Sequence, residues 1–163
     1  MKMKIQILWF KKDLRVIDHM PLVRACENKI PVLPIYLIEP SFWKQPFSSK
    51  RHWSFIRDCL IDLQRDLIIL KSKLHVEIAE ALNFFDEINQ KFKICSILSH
   101  EETGNNWVLS RNTQVQNWCK TKNINFIEYP NNGVVRNLDN RDKWSQIKKN
   151  RLNLPILDKP NEI

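Results

Sequence analysis

The sequence predicts a doubly wound α/β domain, with five parallel strands in the order 3-2-1-4-5 and helices on both faces of the sheet. Two observations carry that expectation. Short apolar runs of strand length recur along the chain, and the segments between them place their apolar residues at spacings of three and four. Strands joined by helical crossovers wind right-handedly into a parallel sheet. A chain of 163 residues is long enough for one such domain and its core.

The first strand runs from Ile5 to Phe10. Pro21 then sits at a first-turn position, where its missing N–H costs nothing, and Leu22, Val23, Ala25 and Cys26 continue a short helix toward Asn28. The second strand is Pro31 to Ile38, its prolines near the start and Glu39-Pro40 behind it. After a loop from Ser41 to Ser48, the residues Trp53, Ile56, Leu60, Leu63, Leu67 and Leu70 mark an amphipathic helix capped by Ser48 or Ser49. Leu74 to Ile78 is the third strand. Glu80 to Phe92 forms a helix that turns Leu82, Phe85 and Ile88 inward, and Ile94 to Ser99 the fourth strand. Trp107 to Lys122 follows as a helix carrying Leu109, Val115 and Trp118, and Ile124 to Tyr129 is the fifth strand. The α/β domain is thus expected to fill residues 1–130. Residues 131–163, with Pro155 and Pro160 as breakers and weak periodicity around Trp144 and Ile147, read as a linker with a helical turn or two.

Composition narrows the function classes. No apolar run approaches the ~20 residues that span a bilayer, and the opening Met1-Lys2-Met3-Lys4 leads into a strand rather than a secretion signal, so a cytoplasmic protein without membrane contact is expected. The four cysteines, Cys26, Cys59, Cys95 and Cys119, form no CxxC pair, which leaves small core hydrophobes as their reading. Only Gly104 and Gly133 occur, so neither dinucleotide nor P-loop glycine signatures can be written in this chain. Of the net charge of +8, half lies between Arg136 and Lys159, where seven basic residues face three aspartates. A basic tail suits DNA or an acidic partner, and general Lys- and Asn-rich composition gives the same look.

Two polar clusters lie where strands end, the place where open α/β sheets bind ligands. Lys11-Lys12-Asp13-Leu14-Arg15 follows the first strand, and Ser99-His100-Glu101-Glu102-Thr103-Gly104-Asn105 the fourth. In the order 3-2-1-4-5 these strands are neighbours, so the two loops line one crevice, suited to a polar ring system. Each residue also has a plainer reading. Asp13 and Arg15 would pair to fix their loop, Glu101, Glu102 and Asn105 would cap the following helix, and His100 would be structural. The adjacent glutamates point in different directions, and no nucleophile–base pairing is suggested by spacing. Among six tryptophans, Trp53 and Trp118 fall at core spacing, whereas Trp9, Trp43 and Trp107 are placed to stack on a planar ligand.

These motifs resemble the amino-terminal domain of the DNA photolyase and cryptochrome family. Leu8-Trp9-Phe10-Lys11-Lys12-Asp13-Leu14-Arg15 with Asp18 resembles the family's W-F-R-R-D-L-R-x-x-D-N, with lysines for two arginines and His19 for the asparagine. Val32 to Tyr36 with Glu39-Pro40, Arg51 to Leu63, His100 to Asn105, Arg111, Val115 to Cys119, Asn132 to Arg136, and Arg141-Asp142 with Trp144 extend the likeness over nearly the whole chain; Asn112 stands where an aspartate commonly follows the arginine. The resemblance implies a flavodoxin-like or Rossmann-like antenna domain that holds a folate (methenyltetrahydrofolate) or a deazaflavin. Phe10, Lys11, Asp13, Arg15, Glu101, Glu102, Asn105 and Arg111 would be its contacts. It further implies a partner, an FAD-binding helical domain in cis or on a separate chain, which would hold the FAD, the chemistry and the contact with damaged DNA. The expected function is the light-harvesting part of a photolyase or cryptochrome, not catalytic by itself. A basic α/β module that docks a flavoprotein or DNA, and a free-standing nucleotide-binding protein, are the alternatives.

Overall fold

The apolar runs and helical periods assemble as their alternation requires. The computed structural model describes residues 2–136 and 138–163. In order these form β1 (Lys4–Phe10), α1 (Met20–Cys26), β2 (Val32–Leu37), α2 (Pro40–Trp43), α3 (Lys50–Ile69), β3 (His75–Glu77), α4 (Ala81–Lys91), β4 (Lys93–His100), α5 (Asn106–Lys122), β5 (Asn125–Tyr129), a 3₁₀ turn (Arg141–Lys143) and α6 (Trp144–Leu152). All strand pairings are parallel and the order is β3-β2-β1-β4-β5. No helix among the described residues is long and apolar enough to cross a membrane.

Central position explains why β1 is largely apolar: covered on both faces, it admits one buried polar side chain, Gln6, whose amide donates to the Ala25 carbonyl (3.1 Å) and accepts from the Ser96 hydroxyl (3.2 Å). Its pleat sends Ile5, Ile7 and Trp9 to one side, where α4 contributes Phe84 and Phe85 and α5 contributes Val115 and Cys119. Leu8 and Phe10 go to the other side, against Leu22 of α1 and Ile56, Leu60, Leu63 and Leu67 of α3. The α3 apolar stripe is therefore the inner wall of one layer. Ser49 caps that helix by accepting from His52 N–H. At the far end of α5, Asn123 adopts the left-handed conformation (φ 55°) and its N–H closes the last turn, a C-terminal role that asparagine takes where glycine is absent.

Two segments differ from expectation. The loop between β2 and α3 holds the short helix α2, which has no side-chain cap and no apolar period to announce it. The tail does more than link. Beyond α6 it turns back along the domain, exchanging backbone and side-chain bonds between Asp18 and Leu157 (2.8 and 3.4 Å), and Ile163 N–H reaches the carbonyl of Leu70 (3.0 Å).

The loops at the carboxyl ends of β1 and β4 are tied by one buried carboxylate. Asp13 Oδ2 lies 2.7 Å from His19 Nε2 and 2.6 Å from His100 Nδ1, and Oδ1 accepts from Lys11 N–H (2.9 Å). His19 Nδ1 in turn accepts from Leu22 N–H (3.0 Å) and caps α1. That cap fixes the tautomer: the proton of neutral His19 sits on Nε2 and points at Asp13. The same arrangement argues against a metal among these three residues, because the nitrogen that would bind the ion carries hydrogen instead.

Burial alone would raise Asp13, but the His100 and His19 hydrogen bonds outweigh it and hold the carboxyl well below its ordinary 3.8. Burial lowers His19 below its ordinary 6.5, against the pull of Asp13. Both shifts have one sign for stability. The unfolded chain takes up protons that the folded chain refuses, so stability is full above about 6.5 and is lost as pH falls, through His19 first and Asp13 later. Glu39, pushed up to about 7, acts with the opposite sign, so the histidine shows in the difference between wild type and His19→Asn: the stability advantage of the wild type in urea denaturation should shrink as pH falls below 6.5. Asp13→Ala, which strands three buried N–H donors, is expected to cost on the order of 3 kcal/mol at pH 7. Phe85→Ala, which removes the edge-to-face contact with Trp9 (5.1 Å between centroids), should cost about 3–5 kcal/mol with the fold retained by circular dichroism.

Candidate functional site

The carboxyl ends of β1, β2 and β4 deliver Lys11, Glu39 and Glu102 to one crest, and the first turns of α5 bring Trp107 and Arg111 over it. Arg111 donates to Glu39 Oε2 (2.7 Å) and to Glu102 Oε2. Glu102 lies 3.6 Å from Lys11 Nζ, which is 3.4 Å from Glu128 of β5. Glu128 accepts from Arg136 (2.7 Å), Arg136 is 3.5 Å from Glu101, and Glu101 is 3.8 Å from Arg151 of α6. Four acids and four bases thus alternate in one unbroken ladder from the core to the tail. Its inner members are nearly dry, with the Lys11 side chain 4% exposed, and its outer end at Arg151 is 20% exposed.

Burial sets the electrostatics of the inner members. Desolvation pushes Glu39 up to about 7, with Arg111 working against it, and lowers Lys11, with Glu102 and Glu128 working against that. Glu39 also accepts from Ala81 N–H at the start of α4 (3.3 Å), so one carboxylate ties β2, α4 and α5 together. Tyr36, buried beside it, is raised beyond the usual phenol range, first by desolvation.

Aromatic rings fill what the charges leave. The guanidinium of Arg111 stands 4.6 Å from the Trp9 ring centre and 5.3 Å from that of Trp107, and Phe42 of α2 packs edge-on to Trp107 (5.1 Å). The crevice enclosed by these groups has about 50 Å³ of free space, against about 300 Å³ at the lower end for ligand pockets. A second gap, between the loops after β1 and β4, is lined by Lys12, Asp13, His100 and both glutamates and is equally small, about 50 Å³.

The eight residues singled out by sequence fall into three groups. Phe10, Lys11, Glu102 and Arg111 meet in the crevice. Asp13 is committed to the two histidines rather than to Arg15, whose guanidinium instead donates to the carbonyls of Ile17 and Asp18 and to Asn131 Oδ1 (3.1 Å). Asn105 caps α5, accepting from Val108 N–H, and Glu101 faces the tail arginines. The adjacent glutamates do diverge. Trp9 is buried in the core and also borders the crevice, which Trp43 and Trp107 line with it. Sequence reasoning passed over Glu39 and Glu128 as site residues. Glu39 directly follows an apolar strand, the same signal that marked Lys11 and Glu101, whereas Glu128 sits inside β5 with nothing local to mark it.

Comparison with known proteins agrees with this architecture. The family model for DNA photolyase matches residues 6–147. The tomato (Solanum lycopersicum) chloroplastic/mitochondrial cryptochrome DASH is 26% identical over 139 residues, 82% of this chain and 23% of that protein. The class III photolyase of Agrobacterium tumefaciens superposes with a TM-score of 0.82 at 17% identity, covering all of this chain and 35% of its own. An archaeal photolyase from Sulfolobus tokodaii, solved with two FAD molecules, superposes at 0.70 with 22% identity over 98% of this chain and 37% of its own. The chain therefore spans about a quarter of the length of that curated relative. With most of its residues matched and the strand order shared, this chain belongs to the DNA photolyase family and carries that family's N-terminal α/β domain.

Proposed function

We propose that this chain supplies the α/β half of a photolyase or cryptochrome and acts against an FAD-binding domain carried on the same polypeptide or on another. The observation that carries this reading is the self-contained crest. Glu39, Arg111, Glu102 and Lys11 are paired with one another, which leaves no free acid–base pair there for catalysis by the domain alone. Light-driven chemistry and contact with damaged DNA would then belong to the flavin-bearing partner.

Light harvesting by a folate or deazaflavin is what the family likeness implies for this half, and its donor set is present in Lys11, Glu102 and Arg111. The space is not. Arg111 already occupies the position between Trp9 and Trp107 where a planar ring would stack, and the remaining 50 Å³ takes no tricyclic system. The residues of this crevice do not fit such a chromophore as they stand. A light-harvesting role would need a site elsewhere on the domain or at its contact with the partner.

Mixing the chain with an FAD-binding photolyase domain from a full-length relative is expected to give a stable complex by analytical ultracentrifugation at about 50 μM. Sedimentation of the two as separate species would overturn the docking half of the proposal. Incubation of the chain alone with methenyltetrahydrofolate or 8-hydroxy-5-deazaflavin should leave no chromophore band after desalting. A stoichiometric band that Glu102→Ala abolishes would restore the antenna reading and refute the closed crevice.

A further inference from the structure

A third cavity lies on the other side of the crest and is open. It holds about 280 Å³ between the carboxyl ends of β4 and β5, the loop after β1, and the returning tail. That volume suits a single small ring system. Its floor is His100, which is 97% buried by the measure of its 3% exposure. The Nδ1 edge of that ring is turned inward to Asp13, so in the neutral ring the lone pair is on Nε2, at the opposite edge. Among the described residues nothing bonds to Nε2. The walls are Tyr129 and Pro155, flat and largely apolar, and Arg15 and Arg151 border the mouth. Arg151 engages its neighbours through Nη1 alone, which leaves Nε and Nη2 with hydrogens to donate; Arg15 keeps Nη1.

We propose that this cleft binds a small planar heterocycle that carries both a ring N–H and an anionic group. The N–H donates to His100 Nε2 and the anion is held by Arg15 and Arg151. The Asp13 carboxylate holds the ring of His100 in one tautomer and makes Nε2 the better acceptor, as a carboxylate behind an imidazole does elsewhere. The site stands at the strand ends where open α/β sheets bind ligands. It is separate from the closed crevice.

Orotate carries a ring N–H and a carboxylate on a flat six-membered ring, and is the probe; uracil lacks the anion and benzoate lacks the N–H. Titration of the ¹⁵N-labelled chain should show orotate moving the His100 Nε2 resonance, with uracil and benzoate each binding at least about tenfold more weakly. Leu157→Trp, which fills the cleft from the tail without touching the ladder, should abolish the shift while the urea midpoint stays unchanged. No movement of the His100 signal up to about 10 mM orotate, or benzoate binding as tightly as orotate, overturns the proposal.

Discussion

The alternation of charge across the crest is the constraint on which the upper half of this domain depends. Desolvating a single carboxylate or ammonium costs several kcal/mol, and removing one partner of a buried pair leaves the other stranded. Each inner member of the ladder from Glu39 to Arg151 is therefore tolerable only because an opposite charge stands on either side of it. The order of the loops follows from this. Arg111 must sit under Trp107 to reach both Glu39 and Glu102, which draws α5 over the ends of β2 and β4 and closes the crevice. The outer links are wetter, and ion pairs near solvent contribute little. The tail is thus held less firmly than the crest, although both belong to one ladder.

Much of the fold was legible because its signals are local. The strands betray themselves by short apolar runs, and α3 and α4 by spacings of three and four. Serine and asparagine caps mark where α3 and α5 begin. The short helix α2 escaped notice because four residues between prolines cannot show a period. The pairing within the site was illegible for a different reason. Lys11 meets Glu128 and Glu39 meets Arg111 across the sheet, and no spacing along the chain encodes which strand ends become neighbours in space. Strand order supplies that, and it was enough to bring the loops after β1 and β4 together but not to say that their groups would satisfy one another. Asp13 illustrates the difference. Its charge next to Arg15 suggested a local pair, yet the two histidines that hold it come from the start of α1 and the end of β4.

The departures from the family motif make physical sense at their sites. Histidine at position 19 does two tasks in opposite directions, accepting from Leu22 N–H at one ring nitrogen and donating to Asp13 at the other. Lysine at position 11 acts as a compact charge between Glu102 and Glu128, which stand on different strands. Arg111 and Arg136 bridge pairs of carboxylates in the same way, so the lysine keeps a cation between two acids in the ladder.

The two sides of the crest follow from the direction of these pairs. Toward α2 and α5, guanidinium and indole rings stack on one another and the volume is spent internally. Toward the tail, the chain turns back at Pro155 and reaches Asp18, whose φ of 53° lets its backbone and carboxylate both meet Leu157. That contact holds the tail away from β5 and leaves a gap over His100. One histidine edge is consumed by Asp13 and the other is not. Among the described residues the sealed, unpartnered atoms are Ser99 Oγ, Arg111 Nε and the Asn112 amide; the free edge of His100 is not one of them, so it is left open to accept a hydrogen bond from a ligand in the cleft.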